Sequence, residues 1–188
     1  MDAITAITER VSVAQLTGPG PSDKQLDVIY QAAFRAPDHG WMRPWRYLTV
    51  KGEGLVHLGE VFAQAGVKEN PELTPEKVTK LKKMPQRAPV VIVAIASIQE
   101  NVKVPPVEQR LAVGAGIQNI VTAAYAQGLG AIWRTGDMAY NEYVKASLGL
   151  QVGEEILGFI YLGHVNCKLK KPPVLNKAEF VQAWPLTK

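Results

Sequence analysis

Three short blocks of this chain hold side chains suited to gripping an anion. Arg10 and Ser12 follow the first apolar-periodic stretch, Arg35 and His39 lie in "RAPDHGWMRPW", and Trp133-Arg134-Thr135-Gly136 closes an apolar run. A phosphate needs charge-assisted donors, hydroxyls or free backbone N–H groups, and the ends of helices and strands supply them. Each block alone has an ordinary reading. Arg10 fits a surface arginine favoured by the dipole at a helix C-terminus, Trp133 fits core packing, and His39 fits a loop histidine. Pro44 and Trp45 read as structural, fixing the lead-in to a strand. Arg10 taken together with Ser12 and Arg134 favours the phosphate.

Other chemistries fail on spacing. No Walker-type phosphate loop is present, and "GLGAIW" at 128–133 lacks the third glycine of a dinucleotide fingerprint. That stretch also runs from helix into strand, the reverse of the fingerprint's order. His39, His57 and His164 show no paired-ligand spacing, so no metal is expected. A triad drawn from Ser12, His39 and Asp38 would need neighbouring positions to converge and lacks a nucleophile elbow. Lys77, Lys80, Lys82, Lys83 and Arg87 read as a solvated helix face rather than a nucleic-acid surface, because no aromatic residues interleave them. Cys167, a lone cysteine after a strand, reads as inert.

The composition bounds the class. With 188 residues, 47% hydrophobic and 20% charged, the chain is expected to form a single domain over 1–188 with its own core. A net charge of +4 suits an anionic ligand as readily as nucleic acid. Cys167 is the only cysteine, which excludes an intrachain disulfide and a cysteine-rich zinc site and favours a reducing, cytoplasmic setting. The opening residues Asp2, Thr5, Thr8 and Glu9 do not form a signal-peptide core. Leu111 to Trp133 is uncharged and long enough to span a bilayer. Its Gln118, Asn119, Thr122 and Gln127 fit a helix buried in protein better.

The elements that must position these residues follow from periodicity and punctuation. Residues 2–10 read as a short helix with Ile4 and Ile7 on one face, and 22–35 as a second, capped by Ser22, with Leu26, Ile29, Tyr30, Ala33 and Phe34 in helical spacing. Residues 46–51 read as a strand and 55–65 as a helix. Residues 66–88 are polar, lysine-rich and broken by prolines, and read as a loop excursion or lid with one short helix in its middle. "PVVIVAIAS" is an uninterrupted β-branched run, the mark of a strand buried on both faces. A helix from Pro105 to Gly128 would be about 36 Å long, with Gly114, Ala115 and Gly116 open to close backbone approach. "GAIWRT" and "ILGFIYLGHV" read as two more strands around a helix at 139–148. Four strands among about six helices, without regular βαβ alternation, point to an α+β fold.

In this order the blocks resemble the nitroreductase family of flavin enzymes, and more narrowly a small bacterial subgroup of NAD(P)H nitroreductases carrying Arg-Ala-Pro-Asp-His. The markers are Arg10-x-Ser12, "RAPDH" with "PW" beyond it, Glu53 between Gly52 and Gly54, "NVKVP", "AAYAQGLGAIWRTG" and "GFIYLG". Together they cover nearly the whole chain. The resemblance implies a central, mainly antiparallel sheet surrounded by helices, in a homodimer with FMN at the subunit interface. It implies that Arg10, Val11 and Ser12 lie along the FMN phosphate and ribityl chain, with Trp133, Arg134 and Thr135 completing the pocket. Arg35 and His39 would reach the flavin bound to the partner. Ala123, Ala124, Tyr125, Ala126, Gln127 and Gly128 would lie near NADH or NADPH.

The implied activity is FMN-dependent transfer of hydride from NAD(P)H, through flavin N5, to a small acceptor such as a nitroaromatic or quinone. No side chain is marked as a general acid or base, so no catalytic residue is named. The alternative is a flavin-binding storage or sensing module without turnover. Two departures stand out. Val11 occupies a position where the family usually has a second arginine, so FMN affinity is lower or Arg43 makes up the charge elsewhere. Trp41 and Arg43 stand where the wider family often has Asn and Gln, which opens the question of substrate shape there.

Overall fold

The strand Val90–Ser97 (β3) organises the molecule: every residue of Val90–Ala96 is buried, as a continuous β-branched run requires. Because side chains alternate across a strand, Val90, Ile92, Ala94 and Ala96 enter one core while Val91, Val93 and Ile95 enter another. In the computed structural model, residues 1–184 are described. The remaining elements are α1 (Ala3–Thr8), β1 (Leu16–Thr17), α2 (Asp23–Ala33), β2 (Trp45–Lys51), α3 (Glu53–Glu69), α4 (Pro75–Lys83), α5 (Pro106–Ala126), β4 (Gly130–Arg134), α6 (Asp137–Tyr140), α7 (Glu142–Ser147) and β5 (Glu154–Val165).

The sheet runs β1-β5-β3-β2, with β4 also on β5, and every pairing is antiparallel. β5 is long enough to carry β3 along one edge while its other edge takes β4 at 159–163 and then β1 at 164–165. Helices α2 and α5 cover one face around Ile29, Ile117 and Ile120. Helix α3 and the α6–α7 region cover the other, where Phe62 meets Phe159 edge to face with centroids 5.3 Å apart. Burying each such side chain stabilises the fold by about 2 kcal/mol.

Local sequence accounts for several boundaries. Ser22 caps α2 in a full capping box with Gln25, as expected from its position. At Gly116 a Cβ would sit 2.6 Å from the Tyr47 hydroxyl and 3.3 Å from Ala33 O, so the glycine lets α5 press onto α2 and β2. Buried Gln109 receives the Gln99 N–H at 2.9 Å and donates to Gln99 O at 2.8 Å and Val104 O at 3.1 Å. This ties down the "NVKVP" segment before α5.

Four expectations are corrected. The segment 66–88 is mostly helical: α3 continues through Glu69, and α4 packs back onto it because Gly59 and Gly66 admit the Lys82 backbone and the Leu81 side chain. The predicted helix at 139–148 is two, α6 and α7, divided at Asn141, whose side chain accepts the Val144 N–H. A fifth strand, β1, is present, too short to leave a periodic signal. The apolar side of α1 is not its buried side: Ile4 and Ile7 are exposed and Ala6 is buried. No helix among the described residues is long and apolar enough to cross a membrane. The last four residues of the lysine-rich tail lie outside the described residues.

Candidate functional site

Residues 10–12 leave α1 and run toward β4, where the Val13 N–H donates to Ala131 O at 2.9 Å. That bond flanks two predicted blocks, Arg10–Ser12 just before it and Trp133–Thr135 just beyond it. Arg10, Val11 and Arg134 are half-buried, and Ser12 and Thr135 are exposed. The Nε atoms of Arg10 and Arg134 are buried with no hydrogen-bond partner. A buried, charged donor left unpaired costs about 1–3 kcal/mol or more, and native structures contain few. The two lie on the blocks that flank the Val13–Ala131 bond. Trp133 has a different duty: its indole N–H donates to Leu157 O at 2.9 Å across Gly158, where any Cβ would collide with the ring.

Beyond β4, Thr135 and Gly136 enter the wall of a cavity of about 500 Å³. Leu73, Leu81, Met84 and Met138 give it apolar sides, while Lys77, Lys80 and Arg87 bring positive charge from the α4 segment. Glu69 and Asp137 also line it, so cations exceed anions by one. Arg134 lies 5.9 Å from the Tyr161 ring. Burial pushes the Tyr161 hydroxyl above its usual pKa, opposed by the nearby charges of Arg87 and Arg134. The lysine run read as a solvated face is therefore divided: Lys82 pairs with Glu60 at 2.8 Å, and Lys77, Lys80 and Arg87 face the cavity. Nothing local in the sequence marks those three, since their role depends on α4 folding back across α3.

Arg35 and His39 do not join this cavity. His39 Nδ1 is 2.5 Å from Glu108 Oε2 on α5, and the imidazole stays 74% exposed. Arg35 is exposed beside Phe34 and Trp41 in a separate recess. Residues 123–128 are not among those lining the large cavity either. Ala124 is in the core, Gln127 Nε2 reaches Gln25 O at 3.3 Å, and Gly128, at φ 78°, ends α5 in the left-handed conformation glycine favours. Among the described residues no group of three or more His, Cys, Asp or Glu gathers as metal ligands.

An antiparallel sheet between helical layers, with Arg10 and Arg134 on blocks that flank the Val13–Ala131 bond and a cation-rimmed, partly apolar cavity beside Thr135, makes an α+β fold. The chain belongs to the nitroreductase family, whose profile, described as "Nitroreductase family", matches residues 7–164. It is 36% identical over 168 residues to the Escherichia coli (strain K12) protein named "Putative NAD(P)H nitroreductase YdjA", covering 89% of this chain and 91% of that one. A Haemophilus influenzae protein named "Putative NAD(P)H nitroreductase" is 35% identical over 164 residues, 87% of this chain and 88% of its own. Among solved structures, the nitroreductase-like family protein from Bacillus cereus superposes with a TM-score of 0.83 at 23% identity, over 98% and 97% of the two chains. The FMN and NADPH-dependent nitroreductase NfnB from sphigopyxis sp. strain HMH gives 0.78 at 19% identity, over 99% and 100%. Both share this fold.

Proposed function

We propose that this protein is an FMN-dependent NAD(P)H oxidoreductase of the Arg-Ala-Pro-Asp-His subgroup, acting in the cytoplasm on a small acceptor such as a nitroaromatic or quinone. The observation that carries the reading is the pair of buried, unpartnered Nε atoms on Arg10 and Arg134. A phosphate there would satisfy both through charge-assisted hydrogen bonds, with Ser12 and Thr135 adding hydroxyls. FMN, when bound, supplies hydride acceptance at N5 and onward donation to the acceptor. The chain holds it and sets its surroundings. Lys77, Lys80 and Arg87 stabilise negative charge that grows in the cavity during reduction. The segment 66–88, the end of α3 with α4 and the turns around it, is the lid that keeps water from this wall.

The working form on this reading is a homodimer with FMN at the interface. Exposed Ile4 and Ile7 on α1 and exposed Val107 and Leu111 on α5 support it, as apolar surface a second copy would cover. Arg35 and His39, which stand apart from the cavity, then serve the partner's flavin. Of residues 123–128, the partly or fully exposed Ala123, Tyr125, Ala126, Gln127 and Gly128 lie near the nicotinamide, while Ala124, in the core, does not reach it. Arg35→Ala with His39→Ala should weaken FMN retention without unfolding the chain, and unchanged retention would count against the shared site.

The test of function is spectroscopic. Purified protein should bind added FMN, and anaerobic NADH or NADPH should bleach the flavin band. Arg10→Ala or Arg134→Ala should raise the FMN Kd by about 10- to 100-fold, as loss of a hydrogen bond to a charged group does. A protein that fails to bind FMN is not this enzyme, and one that binds it without bleaching by either donor is a storage or sensing module.

A further inference from the structure

Glu69, the last residue of α3, is an acid in a place that disfavours one, because the negative end of the helix macrodipole repels a carboxylate. Its side chain nevertheless forms part of the cavity wall, among Lys77, Lys80 and Arg87. It is also held there: Asn141 Nδ2 donates to Glu69 Oε1 at 2.6 Å. Asn141 is only 7% exposed, and its Oδ1 accepts the Val144 N–H at 3.0 Å at the start of α7. A buried group between α6 and α7 therefore fixes a carboxylate at the end of α3.

That hydrogen bond does not require the charge. Asn141 needs only an acceptor, and the amide oxygen of a glutamine would serve it equally. Nor is the charge spent on a salt bridge, since no ion pair among the described residues includes Glu69. The neighbouring Lys68 lies over the Tyr143 ring instead, 4.4 Å from its centroid. What the Glu69 charge does reach is the cavity. With Asp137 it offsets two of the three cations, so a neutral side chain at 69 would raise the excess from one to two.

We propose that Glu69 tunes the flavin cavity and that Asn141 is the positioning residue that keeps it there, the pair setting how strongly the protein favours reduced over oxidised FMN. The inference rests on the proposed function. Hydride brings two electrons and one proton to bound FMN, so the flavin gains one negative charge. Lys77, Lys80 and Arg87 favour that charge, and a carboxylate on the same wall opposes it. A ring filling the cavity displaces water from Glu69, and the lower dielectric strengthens the opposition. The cations draw the cofactor in, while Glu69 makes its reduced form the stronger reductant.

The test is the two-electron midpoint potential of the FMN-supplemented protein, titrated anaerobically with dithionite against a reference dye. Glu69→Gln keeps an acceptor for Asn141 and removes only the charge. It should raise the affinity for reduced FMN relative to oxidised FMN by about threefold or more, which lifts the midpoint by about 14 mV or more at about 30 mV per tenfold. Asn141→Ser still caps α7 but releases Glu69, and should move the midpoint the same way by less. Added to Glu69→Gln it should move the midpoint no further, whereas a purely structural asparagine would act alike in both backgrounds. An additive shift removes the positioning role of Asn141, and a midpoint unchanged or lowered in Glu69→Gln overturns the inference alone. Wild-type protein without bound-flavin absorbance overturns the proposed function, and the inference with it.

Discussion

The chain reaches β2 through His39–Trp41 and β3 through Pro85–Arg87, each a single 3₁₀ turn. The two turns feed strands that pair with each other from Trp45–Ala96 to Lys51–Val90, yet they are held by opposite means. Before β3 the backbone is ordinary: Met84 has φ −56° and Ala88 φ −148°, and Pro85 and Ala88 are buried. Before β2, Gly40, Trp41 and Arg43 all have positive φ, and His39, Trp41 and Arg43 face solvent. Packing fixes one lead-in, and polar ties from distant segments fix the other: Gln99 Nε2 donates to Met42 O, and Glu108 holds His39. The difference teaches where rigidity comes from when side chains must stay in water: hydrogen bonds hold the backbone so that the exposed groups need not pack.

The largest effect should come from breaking the packed side. Gly59→Ala would drive a methyl into the Lys82 carbonyl, backbone against backbone, where neither helix can yield cheaply. A loss of about 3 kcal/mol in denaturant unfolding is expected, together with weaker FMN retention as α4 carries Lys77, Lys80 and Arg87 away from the cavity. A loss below about 1 kcal/mol would mean that α4 is not locked to α3.

The next effect lies just inside β2. Arg46 Nε donates to Glu154 Oε1 at 2.8 Å, and Ser97 Oγ donates to the same oxygen at 2.8 Å. The Arg46 bond lowers the Glu154 pKa from the usual 4.5 to about 2, against an opposing push from burial. A depressed carboxylate contributes stability that is fully present above its unfolded pKa and is lost as pH falls from about 4.5 toward 2. Arg46 is partly open to water, which screens the pair. Glu154→Gln should therefore cost about 2 kcal/mol at neutral pH and flatten the acid side of the stability curve. An unchanged acid slope would move that proton linkage to another carboxylate, Glu155 beside Arg110 being the first to test.

Legibility from sequence follows the same division. The β3 run, the α2 face and the Ser22 cap are local statements, and the folded chain obeys them. The extension of α3 to Glu69 is hidden because Gly66 reads as a breaker, while in the fold it is the notch that admits Leu81. Leu16–Thr17 becomes a strand because β5 outruns β4 and has pairing to spare at 164–165. At the site, Arg10, Ser12, Arg134 and Thr135 are recognisable by type and spacing. The missing partners of the two Nε atoms, and the gathering of Lys77, Lys80 and Arg87 around Thr135, arise from long-range packing. Positive φ at Trp41 and Arg43 runs against residue preference, so no local rule announces it.

The smallest effect tests that last point. At position 41, alanine keeps the Cβ that makes φ 55° costly, about 1–2 kcal/mol, while glycine removes it and adds about 0.5–1 kcal/mol of unfolded-state entropy. Both variants lose the indole equally, so their difference isolates the backbone term, and Trp41→Gly should be the more stable by about 0.5 kcal/mol. At Gln86, in the regular turn before β3, the side chain reaches Lys82 O at 3.2 Å and either variant loses that bond. Without a left-handed residue to relieve, only the entropy term remains, and Gln86→Gly should be less stable than Gln86→Ala by about 0.5–1 kcal/mol. Opposite signs at the two positions, read from unfolding midpoints under one set of conditions, sustain the contrast between a strained and a packed lead-in. Equal signs abolish it, because the left-handed backbone at Trp41 would then cost nothing that a glycine could relieve.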